Sequence, residues 1–246
     1  MTDVPALETR SLVVGYEPAM PIVRGIDLAI NKGELVAILG PNGAGKSTYV
    51  KAIAGTVPSF GGNILLGGND ISALPVHLRI TAGLAFVPQT ENIFTSLSIG
   101  ENLRLAADVL PRTLRNLRLE KTLAMFPDLA RRPSLRAGQL SGGQRQMLAV
   151  ARALIVEPQV LILDEPSAGL SPKIVSTVFA MLKSINASGV TILLVEQNVQ
   201  AALAIAHRGV ILVEGQLRHQ GKAVELANNP LLAELYLGGQ QNKATS

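Results

Sequence analysis

Eight consecutive residues, Gly40-Pro41-Asn42-Gly43-Ala44-Gly45-Lys46-Ser47, fit the pattern G-x-x-x-x-G-K-[ST] without a gap. Glycines at this density let the backbone turn tightly and aim several N–H groups inward, which suits a polyphosphate. A helix starting at the end of the loop adds the positive end of its dipole. Lys46 can bridge terminal phosphates, and the Ser47 hydroxyl is a ligand for Mg2+. The strand-like run Glu34–Leu39 precedes the loop and helical spacing follows it, the context that gives the pattern its meaning. Farther along, Val160-Leu161-Ile162-Leu163 ends in Asp164-Glu165. By itself, an acidic pair at a strand end reads as a solvated turn. Beside a phosphate loop, Asp164 reads as a holder of Mg2+, usually through water, and Glu165 as the group that orients and deprotonates an attacking water.

Leu140-Ser141-Gly142-Gly143-Gln144 precedes a long helical stretch, and Ser141 and Gln144 have capping-box spacing. A Gly-Gly at a helix start is ordinarily only a cap. Here its N–H groups and the Ser141 hydroxyl offer a place to receive a γ-phosphate from outside. With these three motifs the chain resembles an ABC-type ATPase, the nucleotide-binding subunit of an ATP-binding-cassette system, along nearly its whole length.

That resemblance implies an α/β P-loop cassette. It has a RecA-like core with a mixed or parallel sheet, an N-terminal antiparallel β region and an inserted helical subdomain. It implies ATP and Mg2+ as cofactors. ATP–Mg2+ is expected on Tyr16, the run Gly40, Pro41, Asn42, Gly43, Ala44, Gly45, Lys46, Ser47 and Thr48, and on Gln89 and Asp164. Tyr16 matches the aromatic that stacks on adenine. Gln89, after Leu84–Pro88, matches the glutamine that contacts Mg2+ or water and senses the γ-phosphate. The metal set is then Ser47, Gln89 and Asp164, and the catalytic set Glu165, Gln197, Gln89 and Lys46. In this family two cassettes pack head to tail, so Ser141, Gly142, Gly143 and Gln144 complete the site of the second cassette.

Two positions depart from the usual cassette pattern. Ser171 stands where many cassettes have Asp, and Gln197 stands where they carry a switch histidine. Glutamine can hydrogen-bond a phosphate but carries no positive charge and exchanges no proton near neutral pH. Gln197 either keeps the contact with less charge stabilisation or marks a weakened site compensated by a second cassette. Glu165-Pro166-Ser167 with Gly169-Leu170, Val195-Glu196-Gln197-Asn198, and the ending Tyr236-Leu237-Gly238-Gly239 resemble one subgroup. It is the second ATP-binding subunit of importers of branched-chain (hydrophobic) amino acids, with amide and urea relatives. The implied partners are a second ABC ATPase, a heterodimer ahead of a homodimer, two transmembrane permeases and, indirectly, an external substrate-binding protein. The implied location is peripheral, on the cytoplasmic face of the plasma (inner) membrane. The runner-up is a soluble ABC ATPase remodelling a protein or nucleic-acid assembly.

These residues need elements to hold them. Val23–Ile30 alternates Ile26, Leu28 and Ile30 on one face, as a half-buried strand does. Asn63–Leu66, Leu84–Val87, Val160–Leu163, Val190–Val195 and Val210–Val213 read as further strands. Helices are expected over 47–54 with Gly55 as C-cap, from a Ser98/Glu101 capping box, over 112–126, and over 141–156. Another is expected from Ser171 as N-cap and Pro172, ending before Gly189. Glu214-Gly215 suits a hairpin turn, and His207-Arg208-Gly209 a helix C-terminus. The resulting organisation is one nucleotide-binding domain over 1–246. Residues 1–90 and 157–237 form the α/β core, 91–156 a helical insertion with the signature, and 238–246 a flexible tail.

Composition bounds the rest. A 246-residue chain is near the upper size of one domain and buries about 70–75% of its unfolded surface. With no cysteine, disulfide frameworks, thiolate nucleophiles and Cys-ligated metal sites are excluded. No apolar run approaches the ~18–20 residues that span a bilayer, and no signal peptide is evident in 1–16. Mean hydropathy is high, at +0.32, which leaves apolar surface for partners. Between Arg104 and Arg136 lie eight basic and three acidic residues. That segment reads as a solvated face, as a surface for anionic lipid or a permease loop, or as a nucleic-acid contact. Aromatic residues make up only 3%, which argues against nucleic acid as a partner.

Overall fold

The computed structural model describes residues 4–229. Two sheets organise the chain. The first is antiparallel, ordered β2-β1-β4-β5, from β1 (Leu7–Val14), β2 (Val23–Ile30), β4 (Ser59–Leu66) and the short β5 (Asn69–Asp70). The second is mixed. It is ordered β10-β9-β3-β8-β7-β6, from β3 (Leu35–Leu39), β6 (Leu84–Val87), β7 (Val160–Asp164), β8 (Thr191–Val195), β9 (Arg208–Val213) and β10 (Gln216–Lys222). All its pairs are parallel except the β9–β10 hairpin.

Burial follows from that pairing. Strands β3, β7 and β8 are buried at every position, as a central parallel sheet covered on both faces requires. Side chains of β3 alternate between two cores. Val36 and Ile38 join Tyr49, Val50 and Ile53 of α1 (Lys46–Ala54) and the inner face of the antiparallel sheet. Leu35, Ala37 and Leu39 join the opposite core. That core is supplied by α3 (Ile99–Ala107), α6 (Gly142–Leu154), α7 (Pro172–Ala187) and α8 (Val199–Ile205). The remaining helices are α2 (Val76–Thr81), α4 (Arg112–Met125), α5 (Pro127–Ala130) and α9 (Ala223–Ala227).

The local signals act as chemistry predicts in most places. At both Ser98/Glu101 and Ser141/Gln144 the capping box is complete in both directions. Gly55 ends α1 in the left-handed conformation. Glu214 and Gly215, both at positive φ, make the two-residue turn between β9 and β10. Gly215 N–H donates to Ala44 O at 3.0 Å, and Gly215 O accepts the Arg24 N–H at 2.8 Å.

One expectation is corrected and one is met without its usual bond. His207-Arg208-Gly209 is no helix end: α8 stops at Ile205 and Arg208 opens β9. There His207 Nδ1 accepts the Leu35 N–H at 2.9 Å, and Gly209 keeps Leu226 in contact, since a Cβ would lie 2.6 Å from its Cδ1. Ser171 does occupy the N-cap of α7, but its hydroxyl makes no capping bond. The expected tail 238–246 and the Tyr236–Gly239 ending lie outside the described residues.

Candidate functional site

The loop between β3 and α1 turns at Gly40, whose φ of 149° and setting exclude a side chain. A Cβ there would meet Leu212 O at 2.1 Å. Gly45 caps α1 in the left-handed conformation, and no side-chain hydrogen bond caps this helix N-terminus, the kind of end that favours an anion. Lys46 is 5% exposed and donates to Gly40 O at 2.8 Å and Pro41 O at 3.1 Å, closing the loop on itself. Burial pushes its pKa down, and the nearby Glu165 and Asp164 oppose that shift.

Strands β3, β8 and β7 lie side by side, which brings together motifs far apart in sequence. The Ser47 hydroxyl donates to Asp164 Oδ1 at 2.8 Å across 117 residues. Burial raises the Asp164 pKa, with the Ser47 hydrogen bond as the main opposing influence. Two hard oxygens 2.8 Å apart match an edge of a Mg2+ octahedron, about 2.9 Å for metal–oxygen distances near 2.05 Å. Among the described residues no group of three His, Cys, Asp or Glu could hold a metal ion. A cation at this pair therefore needs further oxygens from a phosphate ligand or water, the usual habit of Mg2+.

Glu165 follows β7 with φ 49°, a left-handed conformation uncommon for a side chain bearing a Cβ. Its Oε2 accepts the Gln89 amide at 2.8 Å and the Gln197 amide at 2.7 Å. One carboxylate thus gathers residues just after β6, β7 and β8. These three residues also line a cleft of about 380 Å3 together with Ile22 and residues 42–48. A second cleft, which shares Ile22 and Gly43 with it, extends along 19–22, Arg24 and Glu214. Tyr16 lies between β1 and β2, 63% exposed, and is not among the residues lining either cleft.

Ser141, Gly142, Gly143 and Gln144 stand apart from this cleft, at the N-terminus of α6. Gly142 and Gly143 have a local reason to be glycine. A Cβ would lie 2.9 Å from Leu170 Cδ2 at the first and 2.4 Å from Ile174 Cγ2 at the second. The loop after Glu165 and the start of α7 therefore press directly on the signature segment.

Two features escaped the motif reading. Ile22 lines the cleft over residues 42–48 with nothing in its sequence context to mark it. Glu196 is 1% exposed beside Gln197 and accepts three hydrogen bonds, although a lone Glu after an apolar strand reads as surface. The basic segment is partly neutralised. Arg115 pairs with Asp108, Arg118 and Lys121 with Glu157, and Arg131 with Asp128.

The ABC transporter family profile matches residues 23–168. The chain is 42% identical over 233 residues to the "Probable branched-chain amino acid transport ATP-binding protein LivF" of Archaeoglobus fulgidus, covering 94% of this chain and 98% of that one. It is 35% identical over 236 residues to the lipopolysaccharide export system ATP-binding protein LptB of Escherichia coli, covering 94% and 97%. A crystal structure of the ADP conformation of an ATP-binding cassette from an ABC transporter superposes with TM-score 0.85 at 24% identity, covering 95% of this chain and 99% of that one.

Proposed function

Because this chain belongs to the ABC transporter family and is an ABC ATPase, we propose that it powers a membrane importer of branched-chain or related hydrophobic amino acids, or of amides or urea. What carries the importer reading is the likeness to LivF, 42% identity against 35% for LptB, over the same share of this chain.

ATP is held by the loop 40–48, with Tyr16 as the aromatic for the adenine. Lys46, which now donates to the carbonyls of Gly40 and Pro41, exchanges them for terminal phosphate oxygens. Ser47, Asp164 and Gln89 would hold Mg2+, which would supply neutralisation of the phosphate charge. Glu165 accepts the proton of the attacking water, and the Gln89 and Gln197 amides orient its carboxylate. The separation of Ser141–Gln144 from the cleft supports a site completed in trans, with ATP closing two cassettes and hydrolysis reopening them. Gln197 contributes hydrogen bonding without an imidazolium charge. In this reading the partner is a second, different cassette, and the helical insertion 91–156 passes the motion to two permeases fed by an external binding protein. Among the described residues no helix is long and apolar enough to cross a membrane. A place at the cytoplasmic face of the membrane is part of the importer reading and rests on the likeness to LivF.

The test is purification of the tagged chain from detergent-solubilised native membranes, with every co-purifying protein identified. Two permeases and a second cassette bearing its own switch histidine are expected. Recovery with lipopolysaccharide-export components would replace import by export. Recovery only from the soluble fraction, with nucleic acid or a cytosolic assembly, would remove transport and leave the ATPase.

A further inference from the structure

Glu196 sits one residue past β8, and none of the chemistry above uses it. Its Oε1 accepts the Ser167 N–H at 3.0 Å. Its Oε2 accepts the Ser167 hydroxyl at 2.8 Å and the Gln197 N–H at 3.2 Å. Both backbone partners can only donate, so both oxygens must act as acceptors. Burial raises the pKa of this carboxylate, and the hydrogen bonds from Ser167 and from the backbone of Asn198 and Gln197 oppose the rise. A carboxylate withdrawn from water to this degree persists only where its oxygens are engaged.

Both arms of this arrangement lead to the hydrolytic end of the site. Ser167 lies two residues after Glu165, and the Gln197 amide donates to Glu165 Oε2 at 2.7 Å. Farther along the Ser167 arm, Leu170 and Ile174 press on Gly142 and Gly143. We propose that Glu196 is a positioning residue whose carboxylate clasps Ser167 to Gln197, fixing the Gln197 amide on Glu165 and joining that carboxylate to this chain's own signature segment. The clasp rests on the ATPase reading of Glu165 given above.

The experiment is steady-state ATP hydrolysis by the assembled complex carrying Glu196→Gln, Ser167→Ala, both, or Glu165→Gln. Glu196→Gln replaces one acceptor oxygen by an NH2 group that must face a donor whichever way the amide is turned. Its kcat is expected to fall at least about tenfold while KM for ATP stays within about twofold, because the phosphate loop is untouched. Ser167→Ala removes only the hydroxyl donor and keeps the backbone bond, so it folds and lowers kcat less, in the same direction. The double variant is expected to be no slower than Glu196→Gln alone, as for two members of one clasp. If both single variants melt at lower temperature yet keep the parental kcat, Glu196 is only a structural brace and the proposal is overturned. Should Glu196→Gln fail to fold, an unchanged kcat in Ser167→Ala decides against the clasp. Full turnover by Glu165→Gln removes the base assignment and the clasp with it. Loss of turnover there, with kcat intact in the Glu196 and Ser167 variants, overturns the clasp alone.

Discussion

Glu165→Gln separates base chemistry from geometry, because Glu165 Oε2 takes both the Gln89 and the Gln197 amide. A glutamine carbonyl oxygen has two lone pairs and can accept the same two donors, so the cleft keeps its shape. Alanine would strand both amides and is the poorer probe. What glutamine lacks is the ability to take a proton from water. Removing a general base costs roughly 10²–10⁴ in rate. At 1.36 kcal/mol per tenfold that is about 2.7–5.4 kcal/mol of transition-state stabilisation. ATP binding should persist, because Lys46, Ser47 and the loop amides are unchanged. Two assays on the assembled complex suffice: phosphate release under saturating ATP, and nucleotide retention on the protein. The expected outcome is retained ATP with turnover slowed by that factor. Parental turnover would refute the assignment of Glu165, and loss of nucleotide binding would refute the claim that the substitution is geometrically silent.

Three further predictions follow from the same contacts. Gln197→His places a group titrating near pH 6.5 beside Glu165, so turnover of the complex should acquire a pH dependence in that range, and a superimposable pH profile would count against any charge role at 197. Asp164→Asn should raise the melting temperature of the nucleotide-free chain at neutral pH while abolishing the extra stabilisation by Mg2+–ATP. Burial raises the folded-state pKa of Asp164 above its ordinary 3.8, so its contribution to stability is full below 3.8 and lost as pH rises through the raised value. An asparagine variant that melts lower at neutral pH would show that the carboxylate is not a stability cost. Gly143→Ala drives a Cβ to 2.4 Å from Ile174 Cγ2 and should cost about 1–3 kcal/mol of stability, read as a lower melting temperature. Shortening the neighbour with Ile174→Ala should recover part of that loss, and no recovery would place the strain elsewhere.

The elements that carry chemistry were legible because their signals are local. The strand spans Val23–Ile30 and Leu84–Val87 coincide with β2 and β6, and both serine capping boxes form as spaced. Ser47 and Asp164, singled out separately from two distant motifs, meet through a direct hydrogen bond. Strand β1 stayed hidden for a reason its register supplies. Leu7 and Thr9 are buried, then Leu12 and Val14, so the period of two slips by one at the bulge around Ser11, which has φ 45°. His207-Arg208-Gly209 misled because a small residue after basic ones imitates a helix stop. The glycine there answers a close contact with Leu226 instead. Glu196 stands in the segment 195–198, but its burial was not legible because it is tied to Ser167, 29 residues away. No periodicity reports such a partner.

The β9–β10 turn has a practical consequence. Two-residue hairpin turns at a surface are ordinarily good places to insert a tag or lengthen a loop. Here Gly215 bonds Ala44 of the phosphate loop on one side and Arg24 of the antiparallel sheet on the other. A Cβ in its place would fall 1.7 Å from Ile22 O. An epitope or reporter spliced at 214–215 would therefore loosen the nucleotide loop from a point 171 residues distant in sequence.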